Sequence, residues 1–177
     1  MNRVLPLLPL LMALASCLPA GAQTRHNSDA PIDFDAGDIQ LDDRAKRVVL
    51  SGNVRIRQAE LSLNAARVTI SYTGNVLDGA PQANRLDASG GVTFTRPDQT
   101  AQSQYAVYDI NRRTVTMIGA VTLRQGGNAI QGGRLTIDLD TGRAVIDGSG
   151  VGGNSGNVER SGGRVSGSFS VPKRESE

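Results

Sequence analysis

The sequence predicts an all-β protein built of consecutive antiparallel hairpins, and three observations carry that prediction. Apolar and polar residues alternate with a period of two: Val115, Met117, Val121 and Leu123 fall on one side, with Thr114, Thr116, Thr122 and Arg124 on the other. That is the pattern of a strand with one dry face and one wet face. Tight-turn sequences interrupt the alternation, among them Gly126-Gly127-Asn128 and Asp140-Thr141-Gly142. No stretch of the body carries a helical period.

Taken in order, residues 1–22 read as a secretory signal peptide, with a basic start at Arg3, an apolar run from Val4 to Ala15 and the small-x-small site Ala20-Gly21-Ala22. The run is too short to span a bilayer, which takes about 20 apolar residues. Leu14-Ala15-Ser16-Cys17 also fits a bacterial lipobox, so lipoprotein anchoring through Cys17 stands as the alternative to cleavage after Ala22. With cleavage there the mature chain begins at Gln23, has no cysteine, and is stable without disulfides. Residues 23–30 hold the one histidine, His26, and are expected to be a flexible N-terminal segment.

The domain is expected over residues 31–148, with strands at 37–41, 46–50, 54–58, 61–71, 85–88, 92–96, 104–108 and 114–117 leading into the hairpins described above. Turns are expected at Asp42-Asp43-Arg44, Ser51-Gly52-Asn53, Thr73-Gly74-Asn75, Ser89-Gly90-Gly91, Arg96-Pro97-Asp98 and Asp109 to Arg112. The pattern Gly-x-Val-x-apolar recurs at Gly52, Gly90 and Gly119. Its unequal spacing speaks against a strict solenoid and for reuse of one supersecondary unit. Residues 149–177 form a Gly/Ser-rich tail expected to be disordered, whose Arg160, Arg164, Lys173 and Arg174 are either solvated or available to anionic lipid or a partner.

Composition excludes several function classes. The formal charge of +2 falls further when Arg3 leaves, and charges of both signs are interspersed, so no nucleic-acid footprint is present. Aromatic residues make up 3% with no Trp, which disfavours recognition of bases or sugars by stacking. One histidine and no mature cysteine exclude Ser-His-Asp or Cys-His nucleophilic sites and any His/Cys metal cluster. The acidic run Asp29, Asp33, Asp35, Asp38, Asp42, Asp43 lacks the spacing of a calcium loop and reads as a solubilising entry segment. No cofactor is expected.

The residues expected to point inward are Ile39, Leu41, Val54, Ile56, Leu61, Leu63, Val68, Ile70, Leu86, Val92, Phe94, Tyr105, Val107, Val115, Met117, Val121, Leu123, Ile130, Leu135, Ile137 and Leu139. The set is aliphatic, with only Phe94 and Tyr105 as bulky fillers. Two readings stand: a plain aliphatic core, or two sheets that leave an apolar slot between them.

The run Gly119-Ala-Val-Thr-Leu123 through Ile130-Gln-Gly-Gly-Arg-Leu135-Thr-Ile137-Asp-Leu139-Asp-Thr-Gly142, with Tyr108-Asp109, Gly52-Asn-Val-Arg-Ile56 and Leu61-Ser-Leu-Asn-Ala-Ala-Arg-Val68 upstream, resembles the OstA-like family (organic solvent tolerance-like N-terminal domain) of periplasmic lipopolysaccharide-transport bridge proteins. The resemblance covers about residues 33–148, with Ala120 standing where the family often has Asn. It implies an open twisted antiparallel β-jellyroll, slot-like and of many short strands, that is not an enzyme. It further implies that such a protein holds lipopolysaccharide acyl chains, meets inner-membrane and outer-membrane components of the transport machinery, and self-associates end to end. On that reading the slot lining is Ile56, Leu63, Val68, Ile70, Phe94, Val107, Met117, Leu123 and Ile137, with Arg67, Arg85 and Arg124 either at a phosphate-contacting rim or solvated on the strand faces.

Two other functions are weighed. A structural β filament without cargo shares every strand feature. A dimeric aspartic protease would use Asp140-Thr141-Gly142, but that triplet also makes an ordinary hairpin turn, and too little chain follows it for the protease fold.

Overall fold

The computed structural model describes residues 26–75, 79, 81–148 and 164–168; the expected signal peptide, Cys17 and most of the tail lie outside the described residues. Its strands are β1 (Asp33–Asp35), β2 (Asp38–Asp42), β3 (Arg47–Gln58), β4 (Leu61–Thr73), β5 (Gln82–Arg96), β6 (Gln99–Asp109), β7 (Thr114–Gln125), β8 (Asn128–Asp138), β9 (Ala144–Asp147) and β10 (Ser166–Ser168). All pair antiparallel in the order β1-β3-β4-β5-β6-β7-β8-β10, with β2 also on β3 and β9 also on β8. Among the described residues no helix is long and apolar enough to cross a membrane.

Several strands expected as pairs are single long strands with a corner in the middle. Ser51-Gly52-Asn53 and Ser89-Gly90-Gly91, read above as turns, lie inside β3 and β5, and Gly119-Ala120 lies inside β7. At each corner two successive residues take the left-handed conformation, with φ from 48° at Ala120 to 88° at Gly119. The ladder register breaks at the same level on each pair from β3–β4 to β7–β8, between Ser51 and Val54, Asn64 and Arg67, Ser89 and Val92, Gln102 and Tyr105, and Ile118 and Val121. Bulges of this kind bend a strand sharply. The recurring Gly-x-Val-x-apolar pattern therefore marks a line of corners along which the sheet folds onto itself. At Gly90 glycine is required, because a Cβ there would stand 2.7 Å from the Ala66 Cβ.

The corners fold the two halves of the sheet face to face over one core. Tyr108 on β6 donates a hydrogen bond to Gln58 on β3 at 2.7 Å, although these strands are not neighbours in the sheet. The side opposite the corners is a seam, where the turns at one end of the strands face the turns at the other.

Corners also decide which residues point inward. On β3, β5 and β7 the inward phase is retained from Leu50 to Val54, Ala88 to Val92 and Met117 to Val121. On β4 and β6 it slips by one position, from Ala65 to Val68 and from Ser103 to Ala106. A slip of one residue exchanges the faces of everything beyond it. Tyr105 and Val107, expected inside, therefore lie on the outer face, and Ala106 and Tyr108 take their places. The buried aromatics are Phe94, Tyr72 and Tyr108.

The described residues of the 23–30 segment and of the tail make contacts with the sheet. Within the 23–30 segment, His26 and Ser28 are buried, and within the tail Ser166–Ser168 pairs with Ala129–Gln131 of β8. The acidic run forms β1 and β2, where Asp33, Asp35 and Asp42 stand across from Arg57, Arg55 and Arg47 of β3. Opposite charges on facing strand positions favour that pairing.

Candidate functional site

The interior is organised as apolar rows that cross the strands from one edge of the sheet to the other. Ile56, Leu63, Phe94, Ala101, Leu123 and Ile130 are successive cross-strand partners from β3 to β8. Beyond the corner line Leu50, Val68, Ala88, Ala106, Met117 and Leu135 form a second row, and Val48, Ile70, Leu86, Tyr108, Val115 and Ile137 a third. In the first row Phe94 stands between Leu63 and the small Ala101, and in the second Ala88 and Ala106 lie between Val68 and Met117.

Each row continues onto the edge strands, where its cover ends. Phe34, Ile39 and Leu41 of β1 and β2 pair with Ile56, Leu50 and Val48 respectively, and are 51%, 54% and 55% exposed. Ile39 and Leu41, expected in the core, thus face inward on the sheet yet meet solvent, because no strand lies beyond them. At the other edge Ile146 of β9 continues the second row and Ala144 the third.

On the seam near that edge a cleft of about 1000 Å³ is lined by Leu123, Ile130, Leu139 and Ile146, with Val165 just before β10 and a polar rim of Glu60, Arg96, Asp98, Gln99 and Asp140. Its volume is that of a pocket for a sizeable ligand. Gln99 Oε1 and Arg96 Nη1 are buried there without a hydrogen-bond partner among the described residues.

Of the nine residues expected to line a slot, the structure brings together Ile56, Leu63, Phe94 and Leu123 in the first row, Val68 and Met117 in the second, and Ile70 and Ile137 in the third. Val107 is excluded, because it pairs with Asp87 and Thr116 on the outer face. Sequence reasoning missed Leu50, Ala101, Ala106 and Tyr108. The alanines carry little hydrophobic signal, and Tyr108 was hidden by the phase slip.

The arginines placed at a possible rim belong to the outer surface. Arg85 binds Asp87 at 2.7 Å, Arg124 donates to Gln102 Oε1 at 3.2 Å, and Arg67 is exposed. Asp140-Thr141-Gly142 forms the turn between β8 and β9. The Asp138 carboxylate accepts the N–H groups of Asp140 and Thr141 at 3.0 and 2.8 Å, and the same contacts hold its pKa below the ordinary carboxylate range. Asp140 itself accepts a hydrogen bond from Arg113 Nη1 at 3.1 Å. Among the described residues no three His, Cys, Asp or Glu side chains converge where they could hold a metal ion.

Three comparisons bear on this arrangement. Residues 34–143 match the family described as LptA/(LptD N-terminal domain) LPS transport protein. An uncharacterised protein of Rhizobium meliloti (strain 1021) is 27% identical over 128 residues, covering 70% of this chain and 69% of that one. The crystal structure of LptH from Pseudomonas aeruginosa, described as the LptA homologous periplasmic component of the conserved lipopolysaccharide transport device, superposes with a TM-score of 0.68 at 19% identity, over 82% of this chain and 99% of that one. The last shows that the fold is the LptA-like β-jellyroll. A model matched across the whole corner-folded sheet, from β1 to the β8–β9 turn, makes this chain a member of the LptA/(LptD N-terminal domain) family of LPS transport proteins, a family of transport components rather than enzymes.

Proposed function

We propose that the chain is a non-enzymatic periplasmic carrier that moves lipopolysaccharide from the inner to the outer membrane, with the acyl chains held against the apolar rows. One observation carries the reading: the rows run unbroken from edge to edge and are uncovered at Phe34, Ile39 and Leu41. A second copy, or a component of the machinery at either membrane, set against an open edge would extend both the sheet and the apolar track. Different edges meeting head to tail make a contact that propagates. Each buried acyl methylene contributes about 0.8 kcal/mol, so a multi-chain lipid is held without a specific polar site. Transport requires no bond to be broken, and the rows offer no group to break one.

A cargo-free filament is the competing reading, favoured by the full burial of Phe94 and Met117 in the core. Photo-crosslinking decides between the two. A photoreactive residue at Ile56, Phe94 or Leu123 should capture lipopolysaccharide, whereas outward-facing Thr122 and Val107 should not. Capture at none of the three inward sites, in protein shown to be folded, would leave the filament.

A further inference from the structure

The segment just before β1 is polar in sequence, His26-Asn27-Ser28-Asp29-Ala30, yet it lies across the seam of an apolar roll. Gln58, the last residue of β3, holds it from below. The Gln58 amide nitrogen donates to the carbonyl oxygens of Ser28 and Ala30 at 2.8 and 3.0 Å. The Gln58 amide oxygen accepts the Tyr108 hydroxyl at 2.7 Å and lies 3.3 Å from His26 Nε2. From the opposite lip, Arg113 bonds to Asp29 at 3.3 Å and to Asp140 at 3.1 Å. His26 and Ser28 are only 7% and 8% exposed.

These contacts share one property: each of them is a hydrogen bond or ion pair between polar groups across the seam. Gln58 belongs to one layer, and Tyr108, Arg113 and Asp140 to the other. Lifting the segment exposes hydrogen-bonding atoms that water can satisfy, and frees the seam beside Gln58 and Tyr108. An apolar staple would not release in this way, since its removal would leave nonpolar surface in water.

We propose that His26–Ala30 is a latch that closes the seam above the apolar rows and must lift for a multi-acyl lipid to lie in the groove. The proposal rests on the carrier reading and assigns regulation to that site. It also makes entry sensitive to pH. The groups facing His26 are neutral Gln58 and Tyr108 together with Arg96, Glu60 and Asp140. Burial, aided by Arg96, holds its pKa below the ordinary value of 6.5, while the Gln58 hydrogen bond, Glu60 and Asp140 pull the other way. A docked latch thus prefers the neutral imidazole. Closure is fully favoured above the ordinary value and weakens as pH falls from it toward the depressed one.

His26 is the one histidine of the chain, so its imidazole resonance in the full-length protein reports the latch directly. The probe is hexa-acylated lipid A, with binding read separately by photo-crosslinking from Leu123. Without lipid, His26 should titrate below 6.5. With lipid A crosslinkable at Leu123, the titration should return to the ordinary value. The two Gln58 bonds to the segment and the Arg113 contact together correspond to a factor of at least about ten in the open population. Gln58→Met should free the latch and speed lipid A capture by a similar factor, with amide exchange at residues 115–117 unchanged as proof of folding. Asp29→Asn, which touches only the exposed Arg113 contact, should act in the same direction and more weakly. Lipid A crosslinked at Leu123 while His26 keeps its depressed titration would overturn the latch and leave the carrier. An ordinary titration in lipid-free protein would overturn the latch as well. Capture in neither the wild type nor Gln58→Met would overturn the carrier reading and the latch with it, whereas capture only in Gln58→Met would support the latch.

Discussion

The corner line and the seam are the two long sides of the same roll, and they are held by opposite kinds of physics. Along the corners the chain is fixed by backbone conformation, with left-handed pairs at Gly52-Asn53, Gly90-Gly91 and Gly119-Ala120 and fully buried Val54, Val92 and Val121 beside them. Along the seam the contacts are side-chain hydrogen bonds and ion pairs of Gln58, Tyr108, Arg113 and Asp29, with Gln99 Oε1 and Arg96 Nη1 lacking a partner among the described residues. A backbone bend cannot be exchanged for water, and a polar side-chain contact can. On the proposed carrier reading, that difference would let the roll open along the seam and not along the corners, as a groove that admits and releases a long lipid requires.

The sharpest way to break this comparison is to damage the side that should be rigid. Phe94→Ala removes a fully buried ring beside the corner line and should cost about 3–5 kcal/mol in urea unfolding. Gly90→Ala combines a left-handed φ of 85° with a Cβ pressed against Ala66, and should cost about 3 kcal/mol. If either change were neutral globally, the corners would not be the rigid side.

The seam should respond locally instead. Gln58→Met removes the hydrogen bonds to Ser28, Ala30 and Tyr108, but the freed groups reach water once the segment lifts. Global stability should fall by about 1 kcal/mol, with faster amide exchange confined to the start of the domain. A loss as large as that of Phe94→Ala would make the seam part of the core.

Two smaller changes sharpen the picture. Ala120 carries a left-handed φ of 48° without the help of a glycine or asparagine, which Asn53 and Gly91 supply at the matching positions. Ala120→Asn should therefore stabilise the fold by about 0.5–1 kcal/mol, read as a raised urea midpoint. Asp42→Asn removes a half-exposed pair with Arg47 at 3.6 Å and should change stability by about 0.5 kcal/mol or less. It tests whether the charge pairing of β2 with β3 adds anything to the ladder itself.

Much of this was legible in the residues. Alternation identified the strands, and eight of the nine residues expected to line a slot, all but Val107, fall on the inward rows. Val107 fails for one local reason: the bulge between Gln102 and Tyr105 inserts an extra residue, and neither Ser103 nor Gln104 announces it. The corners were visible as a repeat but read as turns, because a Gly pair with left-handed φ serves a hairpin and a bulge equally well. Nothing in His26-Asn27-Ser28-Asp29-Ala30 predicts burial, since its partners Gln58, Tyr108 and Arg113 are distant in sequence.

By itself the sequence determined what depends on neighbours along the chain: which segments are strands, where glycine permits a left-handed bend, and which face of each strand is apolar. Tertiary structure decided what depends on cover. Ile39 and Leu41 are as apolar as Leu50, yet two are exposed and one is fully buried, because only Leu50 has strands on both sides. Burial is a property of the space around a residue, and that space is filled by chain from elsewhere.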